Sequence, residues 1–265
     1  MKQRIITAIV AMLIFLPAAF LGGLPFTILI YAMASIALFE LLRMRKISLR
    51  SVPGMFSLIL LWILLLPFEY IPVFEHIDDY VKLQLIIIGV LIFLSYSVFS
   101  KNEFTFDDIG FCFMAIIYIG VGFYYMLATR AAGILYIFFA LLLIWATDSG
   151  AYFFGRAFGK RKLLPSISPN KTVEGAIGGI ISAIAGTLLF FFFTDLHDYV
   201  QLPALLLVAI VLSVFGQIGD LVESALKRYY NVKDSGNLLP GHGGILDRVD
   251  SWLFVFPLLH FLLLI

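Results

Sequence analysis

The sequence predicts an all-α polytopic membrane protein of about nine transmembrane helices, with the N-terminus in the cytoplasm and the C-terminus outside. Three observations carry that expectation. Hydrophobic residues make up 62% of the 265 positions and charged residues only 13%, with a mean hydropathy of +1.04; this is more apolar surface than one water-soluble core can bury. Apolar runs of about 17 to 25 residues recur along the chain, the length that crosses a bilayer as a helix. The Lys and Arg residues sort between alternate connections, as expected where cytoplasmic loops collect positive charge.

The runs follow in order. Residues 5–21 come after Lys2 and Arg4, which hold the start inside. A basic start followed by an apolar run and small residues is also the pattern of a signal peptide, but cleavage would leave eight spans, so this run is read as a retained helix. Residues 26–42 lead inward to Arg43, Arg45, Lys46 and Arg50, and residues 52–68 leave from that basic loop. The acidic connection FEYIPVFEHIDDYVK, with His76 beside Glu75, Asp78 and Asp79, reads as a solvated outer loop. Residues 81–99 return to Lys101. Residues 109–128 hold the one cysteine, Cys112, as a core residue, which excludes an intrachain disulfide.

Residues 133–150 run inward and end at Asp148. Residues 174–194 leave a basic loop containing Arg156, Lys160, Arg161, Lys162 and Lys171, and carry Gly175, Gly179 and Ala183 on one face suited to close helix packing. Residues 202–221 run inward to Asp220; residues 244–265 run outward with Asp247 and Asp250 in their first turns. Of the 18 Lys and Arg residues, only Lys82 and Arg130 fall outside on this layout. The net charge of +1 and the lack of a basic tail give no reason to expect a nucleic-acid partner. Residues 1–128 read as scaffold helices, and residues 129–265 as the catalytic region.

The second region concentrates the chemistry. Asp148, Asp220, Asp247 and Asp250 are expected at one depth, the cytoplasmic face. An ionisable residue within a span costs roughly 2.5 to 3.5 kcal/mol to insert, so four at one level point to a site. Asp220, Glu223, Ser224 and Lys227 follow a spacing that puts them on one helix face. Carboxylates without neighbouring Cys or several His suit a hard cation such as Mg²⁺. Lys160, Arg161, Lys162 and Lys171 in one loop, with Lys227, Arg228, Lys233 and Arg248 in the next, could surround phosphates. The PGHGG run offers the backbone amides of Gly243 and Gly244 to an oxyanion, with His242 as a further donor.

These residues also carry a resemblance. Ser224-x-Leu226-Lys227-Arg228, then Lys233-Asp234-x-Gly236, then Leu239-Pro240-x-His242-Gly243-Gly244-Ile245-x-Asp247-Arg248-Val249-Asp250 resembles the signature of the phosphatidate cytidylyltransferases, the CDP-diacylglycerol synthases. Asp148-Ser149-Gly150-Ala151-Tyr152, Gly155-Arg156 and Ser168-Pro169-Asn170-Lys171-Thr172-x-Glu174-Gly175 are similar to further blocks of that family. The likeness in motifs covers about residues 145–251. Asn170 departs from it, where the family often has a second lysine.

The resemblance implies an Mg²⁺-dependent nucleotidyltransferase of the cell membrane, its site facing the cytoplasm, that converts CTP and phosphatidate to CDP-diacylglycerol and pyrophosphate. On that reading Asp220 and Asp247 are the first-choice metal ligands, helped by Asp250, Glu223 and Asp148. Lys227, Arg228, Arg248 and His242 act at the reacting phosphates, while Lys171, Ser168, Ser224, Lys233, Asp234, Gly243 and Gly244 bind substrate. The expected partners are CTP, phosphatidate and the lipid bilayer, with a homodimer left open. A CTP-dependent kinase of a polyprenol or other lipid alcohol is the alternative, and an ion or lipid transporter a more distant one.

Overall fold

A computed structural model describes residues 2–66 and 79–263. Eight helices coincide with the first eight expected runs: α1 (Lys2–Leu21), α2 (Gly23–Met44), α3 (Val52–Leu65), α4 (Asp79–Phe99), α5 (Phe106–Ala132), α6 (Ile134–Phe158), α7 (Val173–Phe193) and α8 (Leu202–Tyr229). Five of them, α2 and α5 to α8, are long and apolar enough to cross a membrane, while α1, α3 and α4 carry shorter apolar stretches. The loop around His76 lies outside the described residues.

Where one outward run is expected over residues 244–265, the described residues form two pieces, α9 (Leu246–Val249) and α10 (Trp252–Leu263). At the junction, Asp250 Oδ1 accepts from the Ser251 N–H at 2.7 Å. A side chain that binds local backbone in this way competes with the helical ladder.

The all-α expectation needs one correction, a small antiparallel hairpin of β1 (Lys162–Leu164) and β2 (Ser168–Thr172), with Lys162 opposite Thr172 and Leu164 opposite Ser168. Its cause is local. Thr172 caps α7 by accepting from the Gly175 N–H at 3.1 Å. The Glu174 carboxylate accepts from the N–H groups of Lys160 and Arg161 at 3.0 and 3.2 Å, which ties the approach to β1 to the first turn of α7.

The apolar core runs through both halves of the chain: Phe26, Ile30, Leu38 and Leu42 of α2, Leu61 and Leu65 of α3, Ile119, Phe123 and Met126 of α5 and Phe256 of α10 are all buried in one cluster. The closest helix pair is α6 against α7. A Cβ added at Gly175 would stand 2.7 Å from the carbonyl oxygen of Ala151, so a larger residue would force the two helices apart. Within lipid such close approach, rather than exclusion of water, drives helices together. Ile6, Leu13, Leu91 and Phe192 instead face outward, as lipid-facing positions should.

Candidate active site

The C-terminal ends of α6 and α8 run beyond the expected limits at Gly150 and Leu221, as far as Phe158 and Tyr229. Asp148, Asp220, Glu223 and Lys227 all sit within regular helix. Around them the expected site residues sort into three groups.

The first lines a basin of about 450 Å³ between α6, α7, α8 and the hairpin, with Asp148, Arg156, Lys171 and Asp220 in its wall. Lys171 Nζ lies 2.6 Å from Asp220 Oδ2, and Ser224 Oγ donates to Asp220 Oδ1 at 3.4 Å. Asp250 is within electrostatic reach of both Asp220 and Asp148.

The second group lines a basin of about 690 Å³ built by the segment 233–243, with Lys233, Asp234, His242, Gly243 and Arg248 in its wall. The His242 N–H donates to the Leu239 carbonyl at 2.8 Å, and Gly241 and Gly243 take φ values of 79° and 84°. Those left-handed conformations are readily reached by glycine. Arg248 Nε donates to the His242 carbonyl at 3.0 Å. The His242 ring leaves its Nδ1 buried without a hydrogen-bond partner among the described residues.

The third group is a buried network rather than a basin wall. Asp247 Oδ1 accepts from Lys227 Nζ at 2.7 Å. Its Oδ2 accepts from the N–H groups of Ser235 and Gly244 at 2.9 and 2.8 Å, and lies 2.8 Å from Ser235 Oγ. Lys227 also pairs with the fully buried Glu223. Close packing here explains Gly243, because a Cβ at that position would collide with the Asp247 carboxylate.

The arrangement divides the two residues that the sequence pairs as metal ligands. Asp220 lines a basin, whereas both oxygens of Asp247 are committed to protein donors. Among the described residues, no three Asp, Glu, His or Cys side chains group so as to hold a metal ion. Mg²⁺ commonly takes only one or two carboxylates and completes its shell with waters and substrate phosphates. Asp148 and Asp220 on one basin wall suit that mode of binding, with Asp250 near them, while Asp247 has one protein donor on Oδ1 and three on Oδ2. Two expected residues go to the hairpin instead. Arg228 Nε donates to the Ile167 carbonyl at 3.3 Å, and Ser168 stands in β2.

Sequence reasoning missed Glu40. It is buried near the C-terminal end of α2, where it accepts from the N–H groups of Ile245 and Leu246 at 3.0 and 2.8 Å. Ser235 Oγ lies 3.1 Å from Glu40 Oε2 and 2.8 Å from Asp247 Oδ2, so it stands between the two carboxylates. The signal was present: Glu40 is an ionisable residue inside an apolar run, the same criterion that selected Asp148.

Comparison with known proteins finds similarity along the whole chain. The model of the Cytidylyltransferase family matches residues 2–265. A Bacillus subtilis (strain 168) protein named phosphatidate cytidylyltransferase is 56% identical over 270 residues, which take in 99% of this chain and 97% of that protein. Proteins of the same name from Staphylococcus haemolyticus (strain JCSC1435) and Staphylococcus aureus (strain COL) are 52% and 48% identical over 267 residues, covering all of this chain and 99% of each relative. The match spans the bundle as well as the polar segments that converge at its end, and the chain belongs to the cytidylyltransferase family.

Proposed function

We propose that this protein transfers the CMP group of CTP to phosphatidate, giving CDP-diacylglycerol and pyrophosphate for phospholipid synthesis. The observation that carries the reading is the pair of polar basins at one end of an apolar bundle: one holds carboxylates with Lys171 and Arg156, the other Lys233, His242 and Arg248. A bundle in lipid that gathers phosphate-binding groups of both kinds at one end suits a membrane phosphate on one side and a soluble triphosphate on the other.

In this reaction an oxygen of the phosphatidate phosphate attacks the α-phosphorus of CTP. The new bond joins that oxygen to phosphorus; the bond from the α-phosphorus to the bridging oxygen breaks, and pyrophosphate leaves with the electron pair. A phosphate monoester has its second pKa near about 6 and is already ionised at neutral pH. No strong base is needed; the work is positioning and charge neutralisation. Lys171 and Arg156 bind the triphosphate and offset the charge of the leaving pyrophosphate. Arg248, Lys233 and the His242 ring hold the lipid phosphate. The amides of Gly243 and Gly244 belong to the loop that shapes this second basin, with Asp234 on its rim.

Glu223, Lys227 and Asp247 fix the inner end of α8 against α9, so that the two basins keep one spacing. Asp148 and Asp220, with Asp250 nearby, would hold Mg²⁺, which would supply further neutralisation of the triphosphate charge. The reading sets the site at the cytoplasmic face of the cell membrane, with the N-terminus inside and nine spans in all. Its support is the skew of Lys and Arg towards one set of connections. Residues 129–265 carry most of the reacting groups, on a frame supplied mainly by residues 1–128.

The test is an incubation of detergent-purified protein with phosphatidate, Mg²⁺ and CTP labelled separately in the cytosine and the γ-phosphate. Cytosine label in the lipid fraction with γ-label in pyrophosphate is the expected result. Transfer of the γ-label to a lipid alcohol would replace this reading with a kinase, and absence of any transfer would return the chain to the transporter class.

A further inference from the structure

An apolar groove of about 420 Å³ lies between α1 and α2 and reaches Trp145 of α6 and Trp252 of α10. Ala11 and Met12 of α1 form one wall, and Ala32 and Met33 of α2 form another. Its lining is hydrocarbon and aromatic except for Thr7, His242 and Arg248. Those two residues, with Leu239, also line the larger polar basin, so the groove and that basin meet at a shared wall. Thr7 Oγ1 lies 3.0 Å from the Pro240 carbonyl, which pins α1 to the 239–242 loop beside this junction.

A cavity with a cation at one end and a long apolar trough beyond it fits an amphiphile with an anionic head. We propose that this groove holds an acyl chain of phosphatidate while the phosphate lies at Arg248 and His242. The assignment rests on the reading of phosphatidate as the acceptor and extends it, by giving the N-terminal helices a role in choosing the lipid. It also separates the substrates in space. The lipid arrives along α1 and α2, and the nucleotide occupies the basin lined by Asp148, Lys171 and Asp220.

The physics of the bilayer sets how such a groove works. An acyl chain moving from surrounding lipid into the groove leaves one apolar medium for another, so little hydrophobic driving force attends the move. Preference among chains then comes from shape, through packing against Met12, Met33 and the two tryptophans. Two alanines leave the trough open where larger side chains would close it, so the groove is sensitive to added volume from either wall.

The experiment uses Ala11→Phe and, from the opposite wall, Ala32→Phe, each in the full chain in mixed micelles. Dioleoyl and dihexanoyl phosphatidate serve as acceptors, with the KM for CTP and the oligomeric mass measured alongside. The expected result is that the KM for the dioleoyl lipid rises about tenfold more than that for the dihexanoyl lipid, in whichever variant folds. Equal changes for the two lipids, or no change for either, would overturn the groove assignment. Equal changes with an altered oligomeric mass would instead assign this face to a second copy of the chain. If the unaltered protein transfers CMP to neither lipid, the acceptor reading fails and the groove assignment fails with it. Transfer to both lipids with no chain-length effect in the variants removes the groove assignment alone.

Discussion

Helices α1 to α5 and helices α6 to α10 use their ionisable residues in opposite ways. In the first set the charged residues that make contacts close off something structural. Arg45 Nε lies 2.6 Å from Asp108 Oδ1, and Asp108 also completes the cap of α5 through Thr105. Arg130 donates to the carbonyls of Ala19 and Phe20 at the end of α1, which would otherwise lack partners. In the second set, Asp148, Lys171 and Asp220 line a basin and keep an open side. The difference teaches where to look for chemistry in a membrane bundle: it lies with charged residues that still face a cavity after their protein partners are counted. Asp247 is the residue on which the measure can be tried, because protein donors reach both of its oxygens although it stands in the signature, and Glu40 ties the first set to the second.

The largest effect that would sharpen the contrast is expected from Asp247→Ala. It strips Lys227 of one partner and leaves the donors of Ser235 and Gly244 facing a gap, and breaking a buried pair costs about 3 to 5 kcal/mol. Thermal unfolding in detergent should shift markedly downward along with loss of CMP transfer; an unchanged Tm would mean that Asp247 is not structural. Asp220→Asn comes next. CMP transfer should fall on the order of a hundredfold to a thousandfold, as when an electrostatic contact to the reacting group is removed, while Tm stays near that of the unaltered protein. Near-normal turnover would take Asp220 out of the site.

Glu40→Gln is intermediate. The amide offers one acceptor oxygen where the carboxylate offers two, so the 235–246 segment should be held less firmly. A drop of about 10- to 100-fold in kcat is expected, comparable with loss of an orienting contact, with the KM for CTP little altered. An equal rise in the KM for CTP would show that Glu40 acts on the nucleotide basin instead. The smallest effect is expected from Arg45→Ala. Both partners are partly exposed, at 25% and 20%, so the loss should be about 0.2 to 1 kcal/mol of stability. A loss of CMP transfer as large as that from Asp220→Asn would dissolve the contrast between the two sets.

The sequence made eight helices legible because apolar runs of bilayer length leave few alternatives. The C-terminal end of α6 was not legible, whereas the spacing of Asp220, Glu223, Ser224 and Lys227 indicated that α8 continues past Leu221. Beyond Gly150 the residues turn polar, and polarity alone does not separate a helix leaving the membrane from a loop. The hairpin depends on Glu174 reaching back to the amides of Lys160 and Arg161, a contact that no periodicity reports. For the site, the signature indicated which residue types converge, and Asp148, Lys171 and Asp220 do converge. It could not indicate how many protein donors each carboxylate would meet. Ser235 and Glu40 stand far apart in the chain and come within hydrogen-bond distance only because α2 packs against α9.

The length of α8 has a consequence of its own. Its 28 residues extend about 42 Å at 1.5 Å per residue, against a hydrocarbon layer about 30 Å thick. The helix acts as a gauge rod: Asp220 stands about 27 Å along it from Leu202, close to the full thickness of that layer, with the surplus length beyond it. A thicker bilayer would submerge that end and a thinner one would lift it clear. Turnover in reconstituted vesicles should therefore depend on the acyl length of the host lipid, even when that lipid is not a substrate.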